Sequence, residues 1–243
     1  MKLVDRRQAG ILADRYLDIV LGDVRGTALL LVQAPLIAGA VAGVWSNEKN
    51  DTLSLYFVLC LSAFFLGAIN ACREIVKERA LFLREKMFNL DVGAYLVSKY
   101  RIQLMLIVLQ CTILAVVVRA AVPLKVNVVA LALVLLLVAF TGTALGLAIS
   151  AWVLSADKAV GLVPLIVIPQ ILFSDFVLGK DRLVNWTAEA QKLVPVHWGY
   201  RVLEELRTDE ASLEVLVGAP LVLAIMVVVA FFTALLLLRR ARY

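Results

Sequence analysis

The chain alternates long apolar runs with short charged segments, and the runs have the length of membrane-spanning helices. A helix rises about 1.5 Å per residue, so about 20 residues cross the hydrocarbon core of a bilayer. Six uncharged runs come close to that length. They are residues 26–47, 52–72, 102–118, 126–150, 159–174 and 215–238. The pattern predicts an all-α polytopic membrane protein with six transmembrane helices.

Two of these runs are not expected to be simple straight crossings. The fourth continues without a charge to residue 156, which is too long for one straight span, so we expect its end to leave the bilayer. The fifth contains Pro164 and Pro169. Each proline removes a backbone N–H donor, and we therefore expect the fifth helix to be kinked or broken.

Composition agrees with a membrane protein and excludes several other classes. Of the 243 residues, 63% are hydrophobic and 18% are charged, whereas soluble domains average roughly 45–50% and about 25%. The apolar excess excludes a disordered chain, and only three cysteines argue against a disulfide framework. No Pro-, Gly- or Ser-rich linker divides the sequence, so we predict a single membrane domain over residues 1–243.

The distribution of basic residues predicts the orientation in the membrane. With six spans, both termini lie on one side, and 16 of the 24 Lys and Arg residues fall in the segments on that side. Basic residues are enriched in cytoplasmic loops. We therefore expect an integral membrane protein with both termini in the cytoplasm and an external loop at residues 175–214.

Residues 1–25 contain an amphipathic pattern ahead of the first span. Apolar side chains recur at Leu12, Tyr16 and Ile19, while Arg15 and Asp18 lie on the opposite side. This spacing predicts a helix in the plane of the membrane surface. The helix is either a simple anchor or an elbow that joins the spans to a cytoplasmic module.

A charged segment at residues 73–88, between the second and third spans, has the most distinctive pattern in the chain. At 100° per residue its charges sort onto two neighbouring stripes of one helix. The basic line is Arg73, Lys77 and Arg84; the acidic line is Glu74, Glu78 and Glu85, with Leu81 between the two. Ordinary solvated i, i+3 pairs produce such stripes, and so does a face that docks on a partner protein.

Two stretches resemble the membrane domain of a known transporter group. They are NACREIVKERALFLREKMFNLDVGAYLVSKY, residues 70–100, and GLAISAWVLSADKAVGLVPLIVIPQILFS, residues 146–174. Both are similar to ABC exporters with a type-2 membrane domain, the group that contains the G subfamily. The resemblance implies an elbow helix, six spans, a coupling helix at 73–88 on a nucleotide-binding domain, external re-entrant helices and a dimer around a central pathway.

The same resemblance assigns roles to individual positions. Residues that would meet the ATPase are Arg73, Glu74, Lys77, Glu78, Leu81, Arg84 and Glu85. Residues that would line the substrate pathway are Phe65, Leu66, Ile168 and Ile171, and those of an external apolar gate are Phe176 and Val177. Asp175 stands where the family usually has glycine. The external loop has no cysteine to form the bridge of some animal relatives, which favours a bacterial cytoplasmic membrane.

Motifs for catalysis and nucleotide binding are missing from the sequence. It has no G-x-x-x-x-G-K-[ST] loop to hold phosphates, and His197 is its single histidine. We therefore expect no catalytic residue, no metal and no cofactor on this chain, and no nucleic-acid partner. ATP and Mg would bind a partner nucleotide-binding domain, either a separate chain or a fused one.

Uncharged polar residues within the spans allow two interpretations. Gln33, Asn70, Gln110 and Gln170 either contact cargo or bond across neighbouring helices. Gly142, Gly146 and Ser150 at four-residue spacing predict close helix packing.

The sequence as a whole predicts the permease of an ATP-driven exporter. We expect two copies to enclose an apolar route for a lipid or other lipophilic substrate, among membrane lipids. The alternatives are a passive channel or secondary carrier without an ATPase, and a membrane scaffold or membrane enzyme. The lack of charged residues in mid-membrane argues against an ion-driven carrier.

Overall fold

A computed structural model describes residues 5–48, 52–174, 185–208 and 212–241. These residues form ten α-helices and one 3₁₀ turn, Val76–Glu78, and they contain no strand. The helices are α1 (Arg6–Gly22), α2 (Val24–Trp45), α3 (Leu53–Ala71), α4 (Arg79–Met87), α5 (Val92–Ala121), α6 (Val128–Trp152), α7 (Ala156–Leu172), α8 (Asn185–Gln191), α9 (Pro195–Leu206) and α10 (Leu213–Arg240). The prediction of an all-helical protein is confirmed.

Within the described ranges, five helical stretches are long and apolar enough to cross a bilayer. They contain α2, α3, α5, α6 and α10. The predicted fifth span, residues 159–174, corresponds to α7, which has 17 residues and is not among the five. Pro164 and Pro169 lie inside α7, which is not broken by either of them. Five spans rather than six are therefore established by helix length and composition.

Short polar side chains begin most of the helices. A side-chain oxygen of the residue before the helix accepts a backbone N–H of the first turn in six cases, which satisfies donors that the helix leaves unpaired. These capping residues are Asp5, Asp23, Thr52, Asp91, Asn127 and Ser155. The caps explain why the helices start where charged or polar residues interrupt the apolar runs.

Helix α5 starts earlier than the third apolar run predicts. That run begins at residue 102, but the helix begins at Val92 and includes Lys99 and Arg101. Lys99 is almost fully buried, with 1% of its surface exposed, because it has an acidic partner. A charge at this position therefore does not end the helix, although it ends the uncharged run.

Helices α3 and α6 form the centre of the bundle and approach each other at three glycines. A Cβ added to Gly67 would overlap the carbonyl of Ala139, and one added to Gly142 would overlap the carbonyl of Phe64. A Cβ on Gly146 would lie 2.6 Å from the carbonyl oxygen of Ala68. The expected close packing at Gly142 and Gly146 is therefore confirmed, with Gly67 as its counterpart on α3.

The outer helices have apolar side chains on their exposed faces. On α2, Leu29 and Leu36 are 70% and 66% exposed, and on α10 Val217 is 66% exposed. In water such faces would be unfavourable, whereas hydrocarbon solvates them. The glycine-rich centre and the apolar exterior together fit a helical bundle in a membrane.

Replacing Gly142 with alanine should destabilise the bundle, because the new methyl group must displace the backbone of α3. We expect a loss of about 1–3 kcal/mol in unfolding free energy, the usual range for overpacking. Gly39→Ala is the matched control, since no atom lies within 4 Å of a Cβ built there. Thermal unfolding in detergent measures both variants, and equal stability of the two would contradict the packing described here.

Candidate functional site

The charged segment at residues 73–88 is not one continuous helix. It consists of a turn, the 3₁₀ turn Val76–Glu78 and then α4. The hydroxyl oxygen of Ser150 accepts the backbone N–H groups of Ile75 and Val76 at 2.9 and 3.0 Å. These bonds to α6 replace helical bonds at the start of the segment. The structure thus differs from the single helix that the charge stripes predict, and Ser150 provides the reason.

All three residues of the acidic line contact other parts of this chain. The Glu74 carboxylate accepts a hydrogen bond from the Tyr16 hydroxyl and lies 2.6 Å from the ammonium of Lys77. Glu78 pairs with Lys99 of α5 at 2.6 Å. Glu85 accepts two bonds from the guanidinium of Arg15, at 2.5 and 3.2 Å. The acidic line therefore attaches the segment to α1 and α5.

Lys99 is the most deeply buried charge of this cluster. Its ammonium lies 3.5 Å from the centre of the Tyr16 ring and 5.5 Å from that of Tyr95. An ammonium over an aromatic face is attracted by the ring quadrupole, more strongly when water is excluded. Glu78 and the two rings thus form a closed environment in which the charge of Lys99 is compensated.

The ion pair between Arg15 and Glu85 is partly exposed. The side chains retain 40% and 24% of their accessible surface, and the hydrogen bonds that Arg15 donates to Glu85 raise the pKa of Arg15. Its forked geometry fixes the orientation of α1 on α4 more than it adds to stability, since exposed pairs contribute little. The start of α1 is also bound to the start of α5, because Asp91 accepts the N–H of Asp5 and donates its own to Gln8.

The basic line lies on the outer side of the segment. Arg73, Lys77 and Arg84 are exposed, and Leu81 is half-buried. Lys77 pairs with Glu74 within the segment, whereas Arg73 and Arg84 have no ion pair with the described residues. Of the seven residues predicted to face an ATPase, the six charged ones are thus divided by the structure into an internal acidic set and an external basic set.

A further contact of the segment was not anticipated from the sequence. Lys86 donates to the carbonyl oxygens of Leu238, Arg239 and Ala241 at 2.8–3.0 Å, at the end of α10. These carbonyls lack helical partners, and a cation is favourable at a helix C-terminus. Lys86 therefore connects the segment to α10, and Arg15, Tyr16 and Lys99 are further participants that the stripes alone did not identify.

The predicted pathway residues do not share one surface in this chain. Phe65 is half-buried against the cluster that includes Val163 of α7, and Leu66 is fully buried. Ile168 and Ile171 are 49% and 38% exposed on α7. Asp175 and the predicted gate residues Phe176 and Val177 lie outside the described residues.

Three of the four polar residues within the spans bond to neighbouring helices. Asn70 donates to Gln110 at 2.6 Å, and Gln110 donates to the carbonyl of Leu30 at 2.7 Å, which links α3, α5 and α2. Gln170 accepts the N–H of Val196 at 3.1 Å, which links α7 to α9. Gln33 instead lines a cavity beside α1. Of the two interpretations, bonding across neighbouring helices is therefore the one that Asn70, Gln110 and Gln170 follow.

Removing the ammonium of Lys99 should strongly destabilise the protein, because Lys99→Met leaves the Glu78 carboxylate nearly buried without a cation. We expect the free energy of unfolding, measured by thermal unfolding, to fall by about 3–5 kcal/mol. Adding Glu78→Gln should restore part of this loss. The exposed pair of Lys192 and Glu189, at 2.7 Å, is the control. There Lys192→Met should change stability by about 1 kcal/mol or less. Equal effects at the two sites would contradict the burial of the Lys99 charge.

Comparison with known proteins agrees with these features. The ABC transporter ATP-binding/permease protein Rv1747 of Mycobacterium tuberculosis is 26% identical over 219 residues, which cover 80% of this chain and 24% of that protein. The chain thus spans about a quarter of the length of this relative. The sequence profile described as ABC-2 type transporter matches residues 7–206. Because that match covers most of the sequence, this chain belongs to the ABC-2 type transporter family and is an integral membrane permease component.

Proposed function

We propose that this chain is the membrane-spanning permease of an ATP-driven exporter. The observation that carries the proposal is the division of the charged segment: its glutamates attach it to α1 and α5, and Arg73, Lys77 and Arg84 remain on the outside. A surface of one sign on a firmly attached segment suits docking of a complementary partner. The partner is an ABC nucleotide-binding domain with an acidic surface facing this basic line.

The bonds of the segment suggest how its movement reaches the spans. Glu78 connects it to α5, the hydroxyl of Ser150 to α6, and Lys86 to the end of α10. ATP and Mg bound by the partner supply the energy, and this chain supplies the connection between the docked surface and three membrane helices. Glu85 and Arg15 extend the connection to α1, which serves as the elbow helix.

The same function requires a particular arrangement in the membrane. In this proposal α7 is the remaining span, since 17 residues extend about 26 Å, and α8 and α9 are the external re-entrant helices. Both termini then lie in the cytoplasm. The packing of Val196 and Tyr200 of α9 into the same core as α3 and α6 supports a segment that returns into the bundle.

The substrate route is proposed to form between two copies of the chain. Ile168 and Ile171 leave an apolar face of α7 uncovered, which suits a second copy or a lipophilic substrate. Phe65 packs beside this helix, and Phe176 and Val177 are proposed as the external gate. We propose that the cargo is a lipid or another lipophilic compound and that two copies of the chain form a homodimer. The proposed location is a bacterial cytoplasmic membrane. The competing function is a passive channel or secondary carrier, which would work without an ATPase partner.

Transport by this chain should depend on an ATPase that it binds. The chain is purified with an ABC ATPase encoded beside it and reconstituted into vesicles, and translocation of a fluorescent short-chain phospholipid is followed. We expect translocation only with ATP and Mg, and none with a Walker-A-deficient ATPase. Equal translocation by the chain alone would overturn the proposal in favour of a channel or carrier.

Reversing an exposed charge of the basic line should weaken docking of the ATPase. Arg84→Glu is the sharpest change, because Arg84 has no ion pair with the described residues and its loss leaves the internal contacts intact. We expect about tenfold or greater loss of ATPase affinity, about 1.4 kcal/mol or more. Arg101→Glu, an exposed arginine of α5 outside the segment, is the control. Unchanged affinity in Arg84→Glu counts against this docking face.

A further inference from the structure

A cavity of about 480 Å³ lies where the charged segment meets α1, α2 and α5. Its walls come from the end of α1, the first half of α2, the start of the charged segment, the interior of α5 and the first residue of α7. The lining includes Gln33, Arg73, Lys77, Gln103, Leu30 and Leu106. The volume falls in the range of small-molecule sites and is too small to enclose a whole two-chain lipid.

The polar end of the cavity contains the guanidinium of Arg73, which has no ion pair with the residues that the structure describes. Among its acids, Glu74 is bound by Tyr16 and Lys77, and Asp23 accepts the N–H of Gly26. A free guanidinium beside engaged carboxylates favours an anionic ligand, phosphate above all, because its forked donors match phosphate oxygens.

Two amide oxygens in the cavity also lack partners. Only 1% of the surface of Gln103 is exposed, and its Oε1 accepts no hydrogen bond from the described residues. The Oε1 of Gln33 is likewise buried without a partner. Buried acceptors are nearly always satisfied in folded proteins. Both side chains line the cavity, so a ligand that enters it with hydroxyl donors would satisfy them.

The remaining wall is apolar and lies next to the outer surface of the bundle. Leu30 and Leu106 line the cavity together with Leu29, which is 70% exposed on the outer face of α2. A ligand with its polar end at Arg73 could therefore extend an alkyl chain along α2 into the surrounding hydrocarbon. Basic side chains between membrane helices near the surface bind anionic lipid headgroups, and Arg73 is such a side chain here.

From these four features we infer that the cavity binds the headgroup of an anionic membrane phospholipid that carries hydroxyl groups. Arg73 binds the phosphate, the amide oxygens of Gln33 and Gln103 accept the headgroup hydroxyls, and Leu30 and Leu106 contact the first part of an acyl chain. The bound lipid contacts α2, α5 and the charged segment at once. This inference requires neither an ATPase nor transport, so it stands or fails separately from the exporter function.

Native mass spectrometry of the protein extracted in mild detergent tests the site directly. The protein is titrated with phosphatidylglycerol, with phosphatidylcholine, which has no hydroxyl donor in its headgroup, and with soluble glycerol 3-phosphate. We expect phosphatidylglycerol to bind about tenfold or more tightly than either of the others. Equal binding of phosphatidylcholine, or equal binding of glycerol 3-phosphate, overturns the inference of an anionic lipid.

Variants locate the binding in this cavity. Arg73→Gln should weaken phosphatidylglycerol about tenfold, the effect of losing one charge-assisted contact. Arg101→Gln removes an exposed arginine of α5 that does not line the cavity and should leave the affinity unchanged. Equal losses of affinity for phosphatidylglycerol in the two variants would mean that binding depends on surface charge in general, and would contradict binding in this cavity.

A second variant tests the role of the amide oxygens. Gln33→Leu keeps the volume of the side chain but removes its acceptor, and Gln33 is only half-buried, so the fold should tolerate the change. We expect the preference for phosphatidylglycerol over phosphatidic acid, whose headgroup has no hydroxyl beyond its phosphate, to fall severalfold. An unchanged preference contradicts the proposed hydroxyl contact, and thermal unfolding verifies that the variant is folded.

Discussion

The contact of Lys99 with Glu78 and Tyr16 determines how the charged segment, α1 and α5 meet. An ammonium with 1% of its surface exposed requires a carboxylate within bonding distance, and Glu78 provides it at 2.6 Å. Tyr16 then has two roles, since its ring lies against Lys99 and its hydroxyl donates to Glu74. Because Glu78, Lys99, Tyr16 and Glu74 each bond to the next group, small displacements of the segment relative to α1 and α5 are costly.

Close backbone contact between α3 and α6 provides the rigid support for this arrangement. Gly67, Gly142 and Gly146 allow the two helices to approach without side chains between them. Ser150 lies one turn beyond Gly146 on the same stripe of α6, where its hydroxyl oxygen accepts the backbone N–H groups of Ile75 and Val76. The position of the segment is therefore set by the densest part of the bundle and not by the outer, lipid-solvated helices.

Much of the fold was predictable from the sequence because hydrophobic runs and capping residues act locally. The start of α5 was not, since Lys99 interrupts the apolar run and its partner Glu78 lies 21 residues earlier. The break in the segment depends on Ser150, more than 70 positions away. Arg15 was placed on the polar side of α1, but nothing local indicates that it pairs with Glu85, 70 residues later. Partners so distant in sequence leave no periodic signal.

The two charge stripes of residues 73–88 have different roles because a side chain engaged inside the protein is not available outside it. Glu78 and Glu85 have cations from α5 and α1, and Glu74 has a hydroxyl and a lysine, so the carboxylates are largely neutralised within the chain. The positive charge of Arg73 and Arg84 is not neutralised in this way. The two stripes carry equal numbers of positive and negative charges in the sequence, but the surface that they leave exposed in the folded protein is therefore net positive. Of these two arginines, Arg73 lines the cavity beside α2 and Arg84 does not. An anion bound in the cavity would therefore engage Arg73 and leave Arg84 available to a docked protein.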